Sequence, residues 1–183
     1  MAIDWNFIAE LEGRRQLKGY VPAVDTSQSG VTIATGVDLG HHTRDEIQKW
    51  PISDSLKQKI SPYLGLRGAA AVAALNSRPL HITEDEAIQL ETAVAGPIFD
   101  ELRGHFDRAV GEDAFFQLPD AAQTVLASLA YQYGPALHRR TPKFWALACA
   151  RDWRACVAEL NNFGDAYATR RKREAARLST LLG

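Results

Sequence analysis

Residues 19–40 read GYVPAVDTSQSGVTIATGVDLG, and this stretch decides the fold. It is rich in β-branched residues. Its Asp25–Gly30 cluster of turn-forming residues separates two apolar runs, so it predicts a hairpin or small sheet. Gly36 and Gly40 then end the β signal, and nothing else in the 183 residues repeats it. Upstream, Asp4 to Glu12 places Phe7, Ile8 and Leu11 on one helical face, with Asp4 as N-cap and Gly13 as the stop. Downstream of Thr43 the pattern is helical throughout. Thr83-Glu84-Asp85-Glu86 is a capping box opening a helix toward Val110, which Pro97 is expected to break or bend. Asp120 is read as the cap of the apolar stretch Ala121–Tyr133, which Gly134 and Pro135 close. Pro142 opens a helix at its first position, Asp152 starts another, and Thr169 is read as the cap of a basic terminal helix. The expected class is α+β, mostly helical, with a small β element inserted after the first helix. The expected organisation is one domain over 1–183. Its small lobe spans about residues 13–45, and its helical lobe spans about 46–183 plus the first helix.

Hydrophobic residues make up 46% and charged residues 23%, which excludes wholesale disorder and collagen-like repeats. No 18-residue apolar run is present, so no membrane span is expected. Asp4 and Glu10 stand where a signal peptide would carry positive charge, so synthesis in the cytoplasm without an N-terminal signal is expected. The formal net charge of −1 conceals an asymmetry. Through Leu137 there are 11 basic and 18 acidic residues, net −7; from His138 there are 10 basic and 4 acidic, net +6. The basic C-terminal part suits an acidic partner, but no basic-aromatic stripe or recognition motif accompanies it, and a nucleic-acid partner is not expected. Cys149 and Cys156 fall in one helical segment, where two turns separate them by about 10 Å, so no disulfide is expected. His41-His42 lacks a third ligand at metal spacing and reads as a solvated loop.

Three polar residues gather around the β element. Glu12 ends the first helix, Thr32 lies in the second apolar run, and Asp38 follows between Gly36 and Gly40. Helical periodicity sets Glu12 and Glu10 about equally far from the apolar face and does not choose between them. Position along the chain favours Glu12, the last residue before the chain turns into the hairpin. A carboxyl between a helix end and a sheet is partly desolvated, which suits a general acid. Two carboxylates across a groove are the equipment for glycosidic cleavage, and a threonine hydroxyl beside them can hold a water.

The stretch Glu12-Gly13-Arg14-Arg15, Gly19-Tyr20 and Gly30-Val31-Thr32-Ile33-Ala34-Thr35-Gly36-Val37-Asp38-Leu39-Gly40 resembles the active-site region of phage-type lysozymes. Within that superfamily it is most similar to the pesticin-like muramidases, which place the catalytic Asp in a Gly-x-Asp-Leu-Gly setting that Asp38 matches. The phage-lysozyme branch puts its Asp between Glu and Thr, nearer Asp25, which makes Asp25 the second candidate. Ala127–Gly134 resembles the central-helix segment of such lysozymes, and Arg170-Arg171-Lys172-Arg173-Glu174 resembles an Arg-Arg-x-x-Glu signature of related endolysins. Residues 44–115 match only as helical filler.

The resemblance implies a lysozyme-like fold and a cofactor-free, metal-free monomer that hydrolyses the β-1,4 bond between N-acetylmuramic acid and N-acetylglucosamine in peptidoglycan. It assigns Glu12 as general acid, Asp38 as the carboxylate that orients water or stabilises the transition state, and Thr32 as the water-positioning group. Tyr131, Gln132 and Arg171 are the implied substrate-binding residues; packing of the two polar side chains and an arginine pairing with Glu174 are the structural alternative. The expected role is an antibacterial effector or phage-type endolysin acting on the cell wall or in the periplasm of a target or host bacterium, with secretion machinery and an immunity protein as partners. A non-catalytic peptidoglycan-binding module and a chitin-degrading glycosidase are the competing readings on the same fold.

Overall fold

The computed structural model describes residues 3–13, 15–22 and 29–183. The chain is 64% helical with a three-stranded antiparallel sheet, the α+β class that the sequence predicts. It divides into two compact units, Glu12–Val94 and Met1–Leu11 with Ala95–Gly183. The first extends well beyond residue 45, the expected edge of the small lobe, because three helices pack with the sheet on one core.

In the unit Glu12–Val94, β1 (Gln16–Tyr20) pairs with β2 (Thr32–Ala34), which pairs with β3 (Val37–Asp38). Strand β1 alternates between exposed and half-buried residues, whereas all three residues of β2 are buried. The central strand therefore carries the core. The β1–β2 register runs from Gln16↔Ala34 to Tyr20↔Thr32, four steps against two, so β1 bulges. Its free edge is covered by residues 80–82: Gly19 N donates to Leu80 O at 2.9 Å and Ile82 N to Leu17 O at 3.0 Å. Helices α2 (Arg44–Lys49), α3 (Asp54–Ile60) and α4 (Gly68–Ser77) follow. Val31, Ile33, Val37 and Leu39 from the β region share a core with Ile47, Leu56, Ile60, Tyr63, Leu80 and Leu90. The turn cluster from Asp25 and its neighbours lies outside the described residues, apart from Ser29 and Gly30.

Helix α1 (Trp5–Glu12) starts where Asp4 accepts from Phe7 N at 3.0 Å, the cap expected from sequence. Helix α5 (Glu84–Val110) opens with the Thr83/Glu86 capping box. It contributes residues to both units, and of the break or bend expected at Pro97 no break occurs. Pro97 removes one backbone bond, yet Leu90 on one side and Phe99, Leu102 and Phe106 on the other are buried, so packing holds the helix. In the second unit, α6 (Asp120–Tyr133) is buried along most of its length. Pro119 occupies its N-cap, so Asp120 is the first helical residue rather than the cap. Helices α7 (Leu137–Arg140), α8 (Pro142–Cys149), α9 (Trp153–Asn161) and α10 (Ala168–Ser179) complete the chain. Asp152 caps α9 as expected, while α10 begins at Ala168, one residue ahead of the predicted cap Thr169. Cys149 ends α8 and Cys156 lies inside α9, so the two thiols sit on separate helices rather than on one; both are free, and burial pushes the Cys156 thiol up to about 12. No helix among the described residues is long and apolar enough to cross a membrane.

Candidate active site

The β2–β3 hairpin sets Thr32 directly opposite Asp38, which puts both side chains on one face of the sheet. Asp38 ends β3 and caps the short 3-10 turn Leu39–His41. Its Oδ1 accepts from Gly30 N at 3.0 Å and Gly40 N at 2.8 Å, and Oδ2 lies 3.2 Å from Gly30 N. The flanking glycines are there for space. A Cβ on Gly30 would stand 2.4 Å from Gly40 N and 2.5 Å from Asp38 Oδ1, and one on Gly40 would stand 2.5 Å from Leu66 O. Gly30 and Gly40 thus approach each other so closely that their amides grip one carboxylate, and no larger residue fits. A fifth of the Asp38 side chain remains exposed. The Thr32 hydroxyl, in a residue 5% exposed, donates to Gly30 O at 3.4 Å, leaving its oxygen lone pairs as acceptors.

The turn that carries Asp38 is braced from behind. Gly65 N donates to Leu39 O at 3.2 Å and Gly68 N to Ser29 O at 3.0 Å. Arg67, the N-cap residue of α4, donates from Nε to Gly40 O at 3.1 Å and contacts His41 Nδ1 from Nη2 at 3.3 Å. Sequence reasoning missed Arg67, since nothing in Leu66-Arg67-Gly68 signals that a residue so distant in sequence clamps this turn. The neighbouring His42 bonds Glu46 at 2.9 Å and meets the Trp50 ring at 4.8 Å.

Glu12 closes α1, half-buried, and Gly13 follows with φ +96°, which turns the chain out of the helix. Two residues on, Arg15 ties the start of the sheet to α5. It bonds Glu91 at 2.9 and 2.7 Å and Glu84 at 2.8 Å. Glu91 is 4% exposed, and its hydrogen bonds outweigh the cost of burial to hold the Arg15 guanidinium firmly protonated. Glu12, Thr32 and Asp38 all belong to the unit Glu12–Val94. Asp25, the second candidate for the acidic partner, lies outside the described residues.

Tyr131, Gln132 and Arg171 belong to the other unit. Arg171 is 1% exposed, and its guanidinium is engaged by Asp165 at 2.9 Å, by Glu174 and by Gln132 Oε1. It also lies over the rings of Phe163 and Tyr133, at 4.9 and 5.4 Å. Arg170 donates to Glu174 at 3.3 Å and to Ser128 O at 3.0 Å, and Ser128 Oγ donates to Glu174 at 2.5 Å. Both arginines therefore pair with the fully buried Glu174, the structural alternative to substrate binding, and Arg171 also holds the Gln132 amide. Burial pushes the Asp165 carboxyl upward, but bonds from Tyr133 and Arg171 outweigh it and hold Asp165 below the usual carboxylate range. Tyr131 and Gln132 are half-buried; Tyr131 packs on the core of this unit. The same unit holds a cavity of about 410 Å³ lined by Glu10, Leu11, Tyr167, Thr169, Arg170 and Arg173. Glu10 and Arg173 form an ion pair there, and Tyr167 is exposed.

The family described as pesticin, a bacterial toxin homologue of phage lysozyme (C-terminal part), matches residues 2–154. A search of curated proteins gives no match. The matched span contains Glu12, Thr32, Asp38, Tyr131 and Gln132, and ends before Arg171. Most of the chain, sheet and cradle included, falls within it: the chain belongs to the pesticin family of lysozyme-like proteins.

Proposed function

We propose that this protein is a muramidase that hydrolyses the β-1,4 bond between N-acetylmuramic acid and N-acetylglucosamine in peptidoglycan. The observation that carries the reading is the cross-strand pairing of Thr32 with a doubly gripped Asp38 in a pesticin-family chain. Glu12 is the general acid that protonates the leaving oxygen. Asp38, fixed by the Gly30 and Gly40 amides, faces the developing positive charge on the sugar or orients the attacking water. Thr32 accepts from that water through its free lone pairs. A carboxylate held by backbone does not reorganise during the reaction, which is where preorganised electrostatics gain their effect. Direct attack by water calls for carboxyl groups roughly 6.5–9.5 Å apart and an inverted product; a separation near 5 Å calls for a covalent intermediate. Tyr131 and Gln132 contact the glycan or its stem peptide, with Arg171 orienting the Gln132 amide from behind.

The biological role within this reading is an antibacterial effector or phage-type endolysin that reaches the periplasm or wall of a target bacterium, neutralised in its producer by an immunity protein. Mass spectrometry of fragments from purified sacculi tests the activity: muropeptides with new reducing ends support it, and an intact polymer rejects it. Asp38 also has a complete structural job as a turn cap, which favours a second reading, a wall-binding module that retains the fold. Tight binding to sacculi without release of reducing ends distinguishes that case.

A further inference from the structure

We infer that His41 is a positioning residue for Asp38, held by Arg67 in the neutral form that carries its proton on Nε2, the ring nitrogen beside that carboxylate. The inference rests on the role proposed for Asp38 and adds a control on it. His41 Nδ1 lies 3.3 Å from Arg67 Nη2, and His41 Nε2 lies 3.4 Å from Asp38 Oδ2. A guanidinium only donates, so Nδ1 accepts, and the ring proton sits on Nε2, beside Asp38. Arg67 cannot shift its hold easily, because its Nε is bonded to Gly40 O in the same turn. Asp38 Oδ1 is taken by two backbone amides, so the His41 ring stands beside the second oxygen, the one with the weaker backbone contact.

Imidazole changes charge between about pH 5 and 8. Among the described residues, the charged groups meeting His41 are Asp38 from its own turn and Arg67 from the head of α4. Protonation puts a hydrogen on Nδ1 and sets it against the Arg67 donor, which breaks that link. The imidazolium then pairs with Asp38 and draws its negative charge away from the sugar. Protonation of His41 therefore weakens the site.

The test combines pH–rate profiles on solubilised glycan strands with ¹⁵N spectra of the His41 ring in the intact protein. His41→Ala is expected to lose roughly tenfold in kcat with little change in KM, the scale of removing an outer-shell orienting group. His41→Gln supplies an N–H near the Nε2 position and does not titrate. It is expected to restore most of that kcat and to carry activity to lower pH than the native protein. The spectra at neutral pH are expected to show the Nε2–H tautomer. An Nδ1–H tautomer, or a His41→Gln profile superimposed on the native one, overturns the inference. If the native protein releases no fragments, the muramidase reading fails while the ring spectra still decide where the proton sits.

Discussion

At the residue scale, the site depends on space as much as on charge. Gly40 sits where an added methyl would strike the Leu66 carbonyl, so Gly40→Ala must open the turn that feeds an amide to Asp38. We expect a loss of stability of about 1–3 kcal/mol, the range for overpacking a tight site, together with a fall in kcat larger than the fall in folded fraction. Denaturant titration beside single-turnover kinetics separates the two. Gly36 differs: its φ is +99° but its surroundings are open, so Gly36→Ala should cost stability through backbone strain alone and leave kcat per folded molecule unchanged. The Gly-x-Asp-Leu-Gly pattern was legible from sequence because both glycines are local to Asp38. The other grip besides Gly40 is Gly30, which stands in the same stretch, but its role depends on the hairpin register, which no local pattern states. The Arg67 brace was not legible at all, since it is a long-range contact made by a residue with no distinguishing neighbours.

At the element scale, caps and periodicity carried most of the information. Asp4, Thr83 and Asp152 announce α1, α5 and α9, and each does what its side chain promises. The Thr83/Glu86 box is also tied to α3: Lys59 reaches Glu86 at 2.7 Å, and although burial pushes that carboxyl up, Lys59 and Thr83 outweigh it and hold it low. Thr83→Ala should cost about 1 kcal/mol in a denaturant midpoint measurement, the usual worth of a cap. Elements misread from sequence failed where packing overrides local preference. Pro97 does not stop α5 because buried side chains on both sides hold the helix, and Thr169 lies inside α10, which begins at Ala168 with no side-chain cap. The sheet was recognised from its β-branched run, but its first strand, Gln16–Tyr20, starts earlier, in a polar segment whose partner strand supplies the hydrophobicity.

At the scale of the whole molecule, each unit has its own core, and the second is tied together by a buried polar network. Glu174 is fully buried and accepts from Arg170, Arg171 and Ser128. Glu174→Ala removes the carboxylate that two buried cations share and should cost about 3–5 kcal/mol, read as a drop in the thermal midpoint. Asp165 adds a pH dependence. Its folded carboxyl titrates below the unfolded one, so its contribution is present above the ordinary carboxylate range and is lost as pH falls through its lowered folded value. Stability should therefore decline in acid, and Asp165→Asn, though less stable at neutral pH, should decline less steeply over the same window.

The most direct measurement of the central claim is the digestion of purified sacculi by the native protein and by Glu12→Gln, with released fragments weighed by mass spectrometry. The account predicts disaccharide muropeptides ending in reducing N-acetylmuramic acid from the native protein. From a folded Glu12→Gln it predicts release at least about a hundredfold slower, the low end of what a general acid supplies. Equal release from the two proteins would contradict it.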